Sequence, residues 1–334
     1  GVVRGHDVVP ADPPVLLEVR RGSVVESHHR GDFVLLDASG AVEASAGDPD
    51  ATMFPRSCLK PVQAVALLDA GFSGAAEWVA LATGSHDAED VHIAGVRAML
   101  AAAGVDESAL RCPAALPSGP DALLAWVRAG GAPAAVCHNC SGKHAAMVAT
   151  CVRNGWPIAS YPDVAHPLQV LARATVERLC GEAARDVSVD GCGAPAFAVS
   201  LRGLAHAFAT IATAADGTSE ARVRDAMRAY PRLVGGTGRA VTAFLAGVPG
   251  FICKDGAECV WGAALPDGRA FAVKADDGSA RALGPLLAAA LSYWNVDAPV
   301  VREQATVPVL GGGESVGAIE WSAELRALLD LPPR

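Results

Sequence analysis

Short apolar runs open the chain at Val15-Leu16-Leu17-Glu18-Val19 and Phe33-Val34-Leu35-Leu36-Asp37, followed by Ala38-Ser39-Gly40 and a further run at Val42. Runs of this length between turn-forming residues predict an antiparallel meander. Helical spacing of apolar positions then takes over at 59–70, 89–103, 120–129, 143–154, 166–180 and 218–230, several stretches ending in Gly or Asn as helix stops do. After Gly250 the pattern returns to short strands at Phe251-Ile252-Cys253, Val260-Trp261-Gly262-Ala263 and Phe271-Ala272-Val273-Lys274. A turn at Leu265-Pro266-Asp267-Gly268 joins the last two, and a helix is expected over 281–293. The predicted class is therefore α/β of the α+β kind. One sheet is built from both termini, about 1–55 and 250–334, beside an all-helical subdomain, about 56–249. No internal repeat or low-complexity linker divides the 334 residues, so a single domain is expected.

Composition narrows the class. Hydrophobic residues make up 51% of the chain, ample for a large core, and the 22 prolines and 35 glycines are spread along it. A formal net charge of -9 offers no basic field for a phosphate backbone, which argues against nucleic acid binding. Mean hydropathy is +0.29, yet the longest apolar stretch, 283–294, contains Gly284, Pro285 and Ser292 and falls short of the ~20 residues of a membrane span. A soluble protein without membrane contact is expected. The first residues, Gly1-Val2-Val3-Arg4-Gly5-His6-Asp7, show no basic segment followed by an apolar run and a cleavage site. Nine scattered cysteines read as reduced, mostly buried thiols, and together these features point to the cytoplasm.

Four segments carry candidate chemistry. Ser57 and Lys60 stand three apart at the start of a helix, where side chains share a face and an amine can reach a hydroxyl. Pro61 suits a first helical turn, which would set Ser57 near N–H groups able to stabilise an oxyanion. Alone, the same spacing also describes an N-cap serine and a solvated lysine. Thr83-Gly84-Ser85-His86-Asp87 follows the apolar run Val79-Ala80-Leu81-Ala82 and places Ser85 in a turn. There a cleft-facing serine and a simple helix cap are both open readings, while Glu89 and His92 read as ordinary helix-face residues. Cys137-His138-Asn139-Cys140-Ser141-Gly142-Lys143-His144 offers thiols and imidazoles suited to zinc or redox exchange. A partner thiol is available from Asp190-Gly191-Cys192-Gly193-Ala194-Pro195, and a glycine turn with buried cysteines is the plainer alternative. Lys254-Asp255-Gly256 follows a strand in the order S-x-x-K then K-x-G seen in penicillin-recognising enzymes, with Asp255 in the place of Thr. A polar hairpin turn is the simpler reading, and Lys274 on a neighbouring strand is a rival lysine.

Taken in order, R-S-x-x-K-P-x-Q (Arg56 to Gln63), G-S-H (Gly84 to His86), N-C-S-G-K-H (Asn139 to His144), D-G-C-G-x-P (Asp190 to Pro195), G-G-x-x-R (Gly235 to Arg239) and K-x-G-A-E (Lys254 to Glu258) resemble the Rhizobium etli type of L-asparaginase. The resemblance implies a serine β-lactamase- and glutaminase-like fold, a homodimer, and hydrolysis of L-asparagine to L-aspartate and ammonia. It implies two serine–lysine pairs, Ser57 with Lys60 and Ser85 with Lys254. Substrate would be bound by Arg56, His86, Asn139, Asp190 and Arg239. It also implies a zinc site at Cys140, Lys143 and Cys192, with Asp190 close by and the lysine ligating as its neutral amine. Three positions depart from the pattern: His138 replaces an acidic residue, no aspartate follows Arg239 in Ala240-Val241-Thr242, and Cys259 replaces a glycine. A glutaminase or β-lactamase-like hydrolase is the alternative within enzymes, and a non-catalytic zinc-binding protein is the alternative outside them. Either Ser57 or Ser85 could be the nucleophile.

Overall fold

Strand-forming residues from the two ends of the chain are hydrogen-bonded to each other. The computed structural model describes residues 13–332. Its strands are β1 (Val15–Arg21), β2 (Val24–Leu36), β3 (Val42–Ala46), β4 (Thr52–Met53), β5 (Asp186–Val189), β6 (Pro195–Ser200), β7 (Ile252–Gly256), β8 (Val260–Ala264), β9 (Ala270–Ala275), β10 (Val307–Gly311) and β11 (Glu314–Trp321). The main sheet runs β10-β11-β1-β2-β9-β8-β7, with β3 also paired to β2. Every pairing is antiparallel, and Leu17 opposite Trp321 marks where the first strand meets the last. β2 is long enough to serve two neighbourhoods, pairing with β1 through Val24–Arg30 and with β9 through Gly31–Leu36.

Alternation along β8 shows how the sheet is covered. Trp261 faces one side, edge-on to Phe244 of helix Ala240–Gly247, and donates its indole N–H to Leu283 O of helix Leu283–Tyr293 at 2.7 Å. Gly262 faces the other side, where a Cβ would overlap the buried ring of Phe208 on helix Leu201–Ala212. That glycine lets the helix lie close on the strand. The six helices expected from spacing are present, over Lys60–Asp69, Asp90–Ala102, Pro120–Arg128, Ser141–Asn154, Pro167–Cys180 and Ser219–Ala229. Left-handed Gly155 and Gly181 close two of them, and the Thr218 hydroxyl caps another by accepting from Ala221 N–H.

The region between the sheet-forming ends is not all helical. β4, β5 and β6 form a second, three-stranded sheet, with Thr52 opposite Ser200 and Val187 opposite Phe197. β6 is buried along its whole length. Its run Ala196-Phe197-Ala198-Val199 is too short for periodicity to separate strand from helix, and its partner β4 lies far away in sequence and numbers only two residues. The spacing does not predict helices Ala76–Thr83, Leu201–Ala212 and Ala240–Gly247, the first and last of which have only eight residues.

Replacing Gly262 by alanine is expected to force Phe208 out of its packed position and cost about 1–3 kcal/mol of stability, the usual penalty for overpacking. Urea denaturation of the variant against the parent chain measures it.

Candidate active site

Arg56 adopts a left-handed backbone (φ 53°) that is strained for a residue with a side chain. It opens a 3₁₀ turn, Arg56–Leu59, which runs into helix Lys60–Asp69 with Pro61 in its first turn. The turn is clasped against the end of β7. Cys58 Sγ donates to Lys254 O at 3.0 Å, and Gly256 sits so close to Pro55 O that a side chain there would collide with it. Facing the turn is the loop after helix Ala76–Thr83. Three backbone bonds from distant segments fix it: Ser85 N–H to Val234 O, His86 N–H to Asn139 O, and Asp87 N–H to Gly235 O.

Lys60 is almost wholly buried and donates to Gly84 O and, at 3.0 Å, to Ser85 Oγ. These bonds differ from the expected pairing of Lys60 with Ser57 and Ser85 with Lys254. Ser57 is half-buried, and its hydroxyl has no hydrogen-bond partner among the described residues; its carbonyl accepts the Lys60 N–H. Burial pushes the Lys60 amine below its usual range, and the ammonium groups of Lys254 and Lys143 add to the effect against the opposing influence of Cys140. Two acceptors suit a neutral amine, which spends both its N–H groups on them and keeps its lone pair.

Lys254 is completely buried and donates to Asp255 O at 2.7 Å and Asp255 Oδ1 at 2.6 Å. Asp255 Oδ2 accepts from Arg239 Nη2 at 3.0 Å, and Arg239 Nη1 donates to Asp87 Oδ1 at 2.6 Å. A chain of alternating charges thus links β7 to the loop that carries Ser85. Arg239, expected to bind substrate, spends both arms on these two carboxylates. Burial alone would raise the Asp255 carboxyl, but Lys254 and Arg239 outweigh it and hold it down at about 2, below the usual 3.8. The rival Lys274 is half-buried on β9, and its ammonium donates to Ala275 O.

Beside these groups lies the thiol cluster. Lys143 Nζ donates to Cys192 Sγ at 3.4 Å, and Cys140 shares a hydrogen with the same sulfur. The bond from Cys140 holds Cys192 well below the usual thiol range, with Lys143 helping, while Cys140 itself is pushed up. Burial disfavours the Lys143 ammonium, yet Cys192, Cys140 and Asp190 more than compensate and raise it. The cluster is therefore thiolate, thiol and ammonium. Behind it, Tyr161 OH accepts from Arg111 N–H and shares a hydrogen bond with His144 Nδ1 at 2.6 Å. No group of three or more His, Cys, Asp or Glu converges as a metal site among the described residues. Two sulfurs and an amine do converge, a donor set that suits zinc once Lys143 gives up its proton.

The remaining expected residues divide. Asp190 Oδ1 accepts from Arg56 at 2.8 Å and from Gly191 N–H, so these two binding residues are joined to each other. Asn139 is exposed, and its amide oxygen accepts from Cys140 Sγ. His86 has a structural setting. It is fully buried, stacked 4.9 Å from His92, accepts from Ala88 N–H at Nδ1 and donates from Nε2 to Ser141 Oγ at 3.0 Å. Burial keeps it well below the usual imidazole range. His138 is lowered to about 4, also by burial. Asp87, Ser141 and Tyr161 carried no signal in the sequence beyond their nearness to a motif.

Asp255→Asn is expected to cost about 3–5 kcal/mol, because it strands Lys254 in the interior. A carboxyl held at about 2 contributes its full stabilisation above the unfolded value of 3.8 and loses it as pH falls through 2. Urea titrations from neutral to strongly acid pH should show that acid-side loss in the parent and a smaller one in the variant.

No curated protein matches the chain. Among solved structures, Mglu in its native form aligns over 76% of this chain and 61% of its own, at 16% identity and TM-score 0.41. Mglu in its tris and glutamate form aligns over 85% and 63%, at 16% identity and TM-score 0.43. A beta-lactamase from Mycobacterium bovis aligns over 75% and 88%, at 14% identity and TM-score 0.38. The chain thus spans about three fifths of the length of the Mglu chains, and likeness at these scores carries no argument. The family model for L-asparaginase II is of another order, matching residues 17–321, from the first strand through every motif quoted above to the last. By that match the chain belongs to the L-asparaginase II family.

Proposed function

We propose that this chain is an L-asparaginase that hydrolyses the side-chain amide of L-asparagine, with Ser57 as nucleophile, Lys60 as base and Ser85 as proton relay. The observation that carries the reading is the buried bond from Lys60 Nζ to Ser85 Oγ, one helical turn from the accessible and unengaged Ser57 hydroxyl. With both N–H groups of its neutral form committed, Lys60 keeps a lone pair to take the Ser57 proton. Ser57 Oγ bonds to the amide carbon, and the C–N bond breaks when the proton passes from Lys60 through Ser85 to the leaving ammonia. Water then adds to the ester, gives its proton back along the same path, and releases L-aspartate. Lys254, pinned by Asp255, acts as a fixed positive charge rather than as a second base. Arg56 and Asp190 form one unit at the mouth of the site, which positions the guanidinium toward substrate.

Zinc would be held by Cys140, Lys143 and Cys192, where it would act as a Lewis acid that orients substrate and holds the neighbouring thiols as thiolates. His144, with its N–H toward Cys192, supports that sulfur as a donor. The homodimer implied by the resemblance is part of this proposal, as is a cytoplasmic setting, supported by nine cysteines that are all buried free thiols. No helix of the described residues is long and apolar enough to cross a membrane.

Ser57→Ala is expected to abolish ammonia release from asparagine and acyl-enzyme trapping. Ser85→Ala should keep trapping but lose about 10²–10⁴-fold in kcat, the worth of a positioned proton relay. Trapping that survives in Ser57→Ala and vanishes in Ser85→Ala would move the nucleophile to Ser85, and full activity in both would end the scheme. Glutamine tested in the same assay separates asparaginase from glutaminase. Zinc added to chelator-treated protein should raise the melting temperature in the parent and not in Cys192→Ala, since a ligand that binds only the folded state stabilises it.

A further inference from the structure

Helix Pro120–Arg128 buries none of its residues, yet it is held at both ends. Ala115 and Ala134 close its stem by exchanging backbone hydrogen bonds of 3.1 and 2.9 Å. Gly119 N–H donates to Asp87 O at 3.2 Å and Ser118 Oγ to Asp87 Oδ1 at 3.1 Å, so the helix starts from the loop that carries Ser85. Beyond its last turn the Trp126 indole donates to Ala132 O at 2.9 Å and lies over Gly131, where a side chain would collide with the ring.

Ala122, Leu123 and Trp126 are half-buried and face the protein, while Asp121, Leu124, Ala125, Val127 and Arg128 face out. Leu124 and Val127 are 52% and 53% exposed. Positions 121, 124, 125 and 128 form one stripe, two helical turns or about 10 Å long, with an acid at its start, an apolar centre and a base at its end. Neither Asp121 nor Arg128 has an ion pair or side-chain hydrogen bond among the described residues.

This stripe is complementary to itself. When a second copy is laid antiparallel on it, about a two-fold axis between Leu124 and Ala125, each Leu124 meets Ala125 of the partner subunit and each Asp121 meets Arg128 of the partner subunit. The small Ala125 lets the two helices approach, and their opposed dipoles attract. A parallel pairing would set like charges against each other at both ends. A cleft of about 330 Å³ extends the fit, its walls including Asp121 and Ala125 of the helix with Glu89, Asp90 and Arg232. Arg232 is bonded to Glu89, which leaves the carboxylates of Asp90 and Asp121 without a counter-ion among the described residues. An arginine that reaches Asp121 from outside therefore enters a cleft with two carboxylates to meet it.

We propose that the outer face of helix Pro120–Arg128 is an interface with a second copy of this chain, paired antiparallel through Asp121, Leu124, Ala125 and Arg128. This rests on the homodimer reading above, to which it assigns a surface, and is independent of the reaction assigned to the site.

Sedimentation velocity over a concentration series should show the parent chain in monomer–dimer equilibrium. Arg128→Glu and Asp121→Arg, each alone, bring like charges together at both ends of the pair and should weaken dimerisation by about tenfold or more. Mixed in equal amounts, the two variants should dimerise with each other, because the substituted positions then carry opposite charges and the unsubstituted Asp121 and Arg128 keep theirs. Such rescue demands two folded chains and a two-fold pairing of these positions. Leu124→Asp should lose dimerisation and regain it with neither variant. A parent that stays monomeric at every concentration would overturn the homodimer reading and the interface with it. A dimeric parent whose variants dimerise equally well overturns the interface alone, and so does loss in the single variants that mixing fails to restore.

Discussion

Three lysine nitrogens, of Lys60, Lys143 and Lys254, are withdrawn from water within one site, each no more than 2% exposed. A buried ammonium costs several kcal/mol unless it is paired or loses its proton, so each lysine dictates what stands around it. Lys254 is answered by Asp255, and Lys143 by the sulfur of Cys192. Lys60 bonds to the Gly84 carbonyl and the Ser85 hydroxyl, with the Cys140 sulfur also beside it. Burial, the largest influence, pushes the Lys60 amine below its usual range. One environment thus gives three chemically identical side chains three different sets of partners.

This division depends on long-range architecture. Lys60 arrives on a helix, Ser85 on a loop, Lys254 on a sheet strand and Cys192 on the turn between β5 and β6 of the small sheet. The loop carrying Ser85 has no regular structure of its own and is held by backbone bonds to segments some 50 and 150 residues further along the chain. The alternating chain Asp87, Arg239, Asp255, Lys254 then ties that loop to the sheet. A displacement of either would have to break a desolvated ion pair, so the spacing of the reacting groups is set by the same charges that the site has to bury.

The extent to which this was legible in the sequence follows from the range of each interaction. The six longer helices were visible because their spacing and caps are local, as were the strands at both ends, which turn residues bracket. The motifs, in order, marked segments that the fold brings together, while Tyr161 lay outside them all. What the sequence did not show is the bond between Lys60 and Ser85, since the amine meets a loop whose position is decided by Val234, Asn139 and Gly235. Asp255 was noticed only as a substitution for threonine, and its role as the counter-ion of Lys254 needed the neighbouring strand end and Arg239 in place. The small sheet escaped because one of its strands has two residues and another reads as a generic apolar run.

The position of β7 has a consequence for how this molecule can grow or associate. β7 is one margin of the main sheet, and the turn bearing Ser57 occupies the space beside it, with Cys58 bonded to the Lys254 carbonyl. A further strand cannot be added on that side without dismantling the site. The other margin is β10, where Pro308 lacks the N–H that a new neighbour would need and Leu310 is exposed. One end of this strand order is closed by chemistry and the other by a missing donor, so extension of the sheet from one copy to the next is discouraged at both.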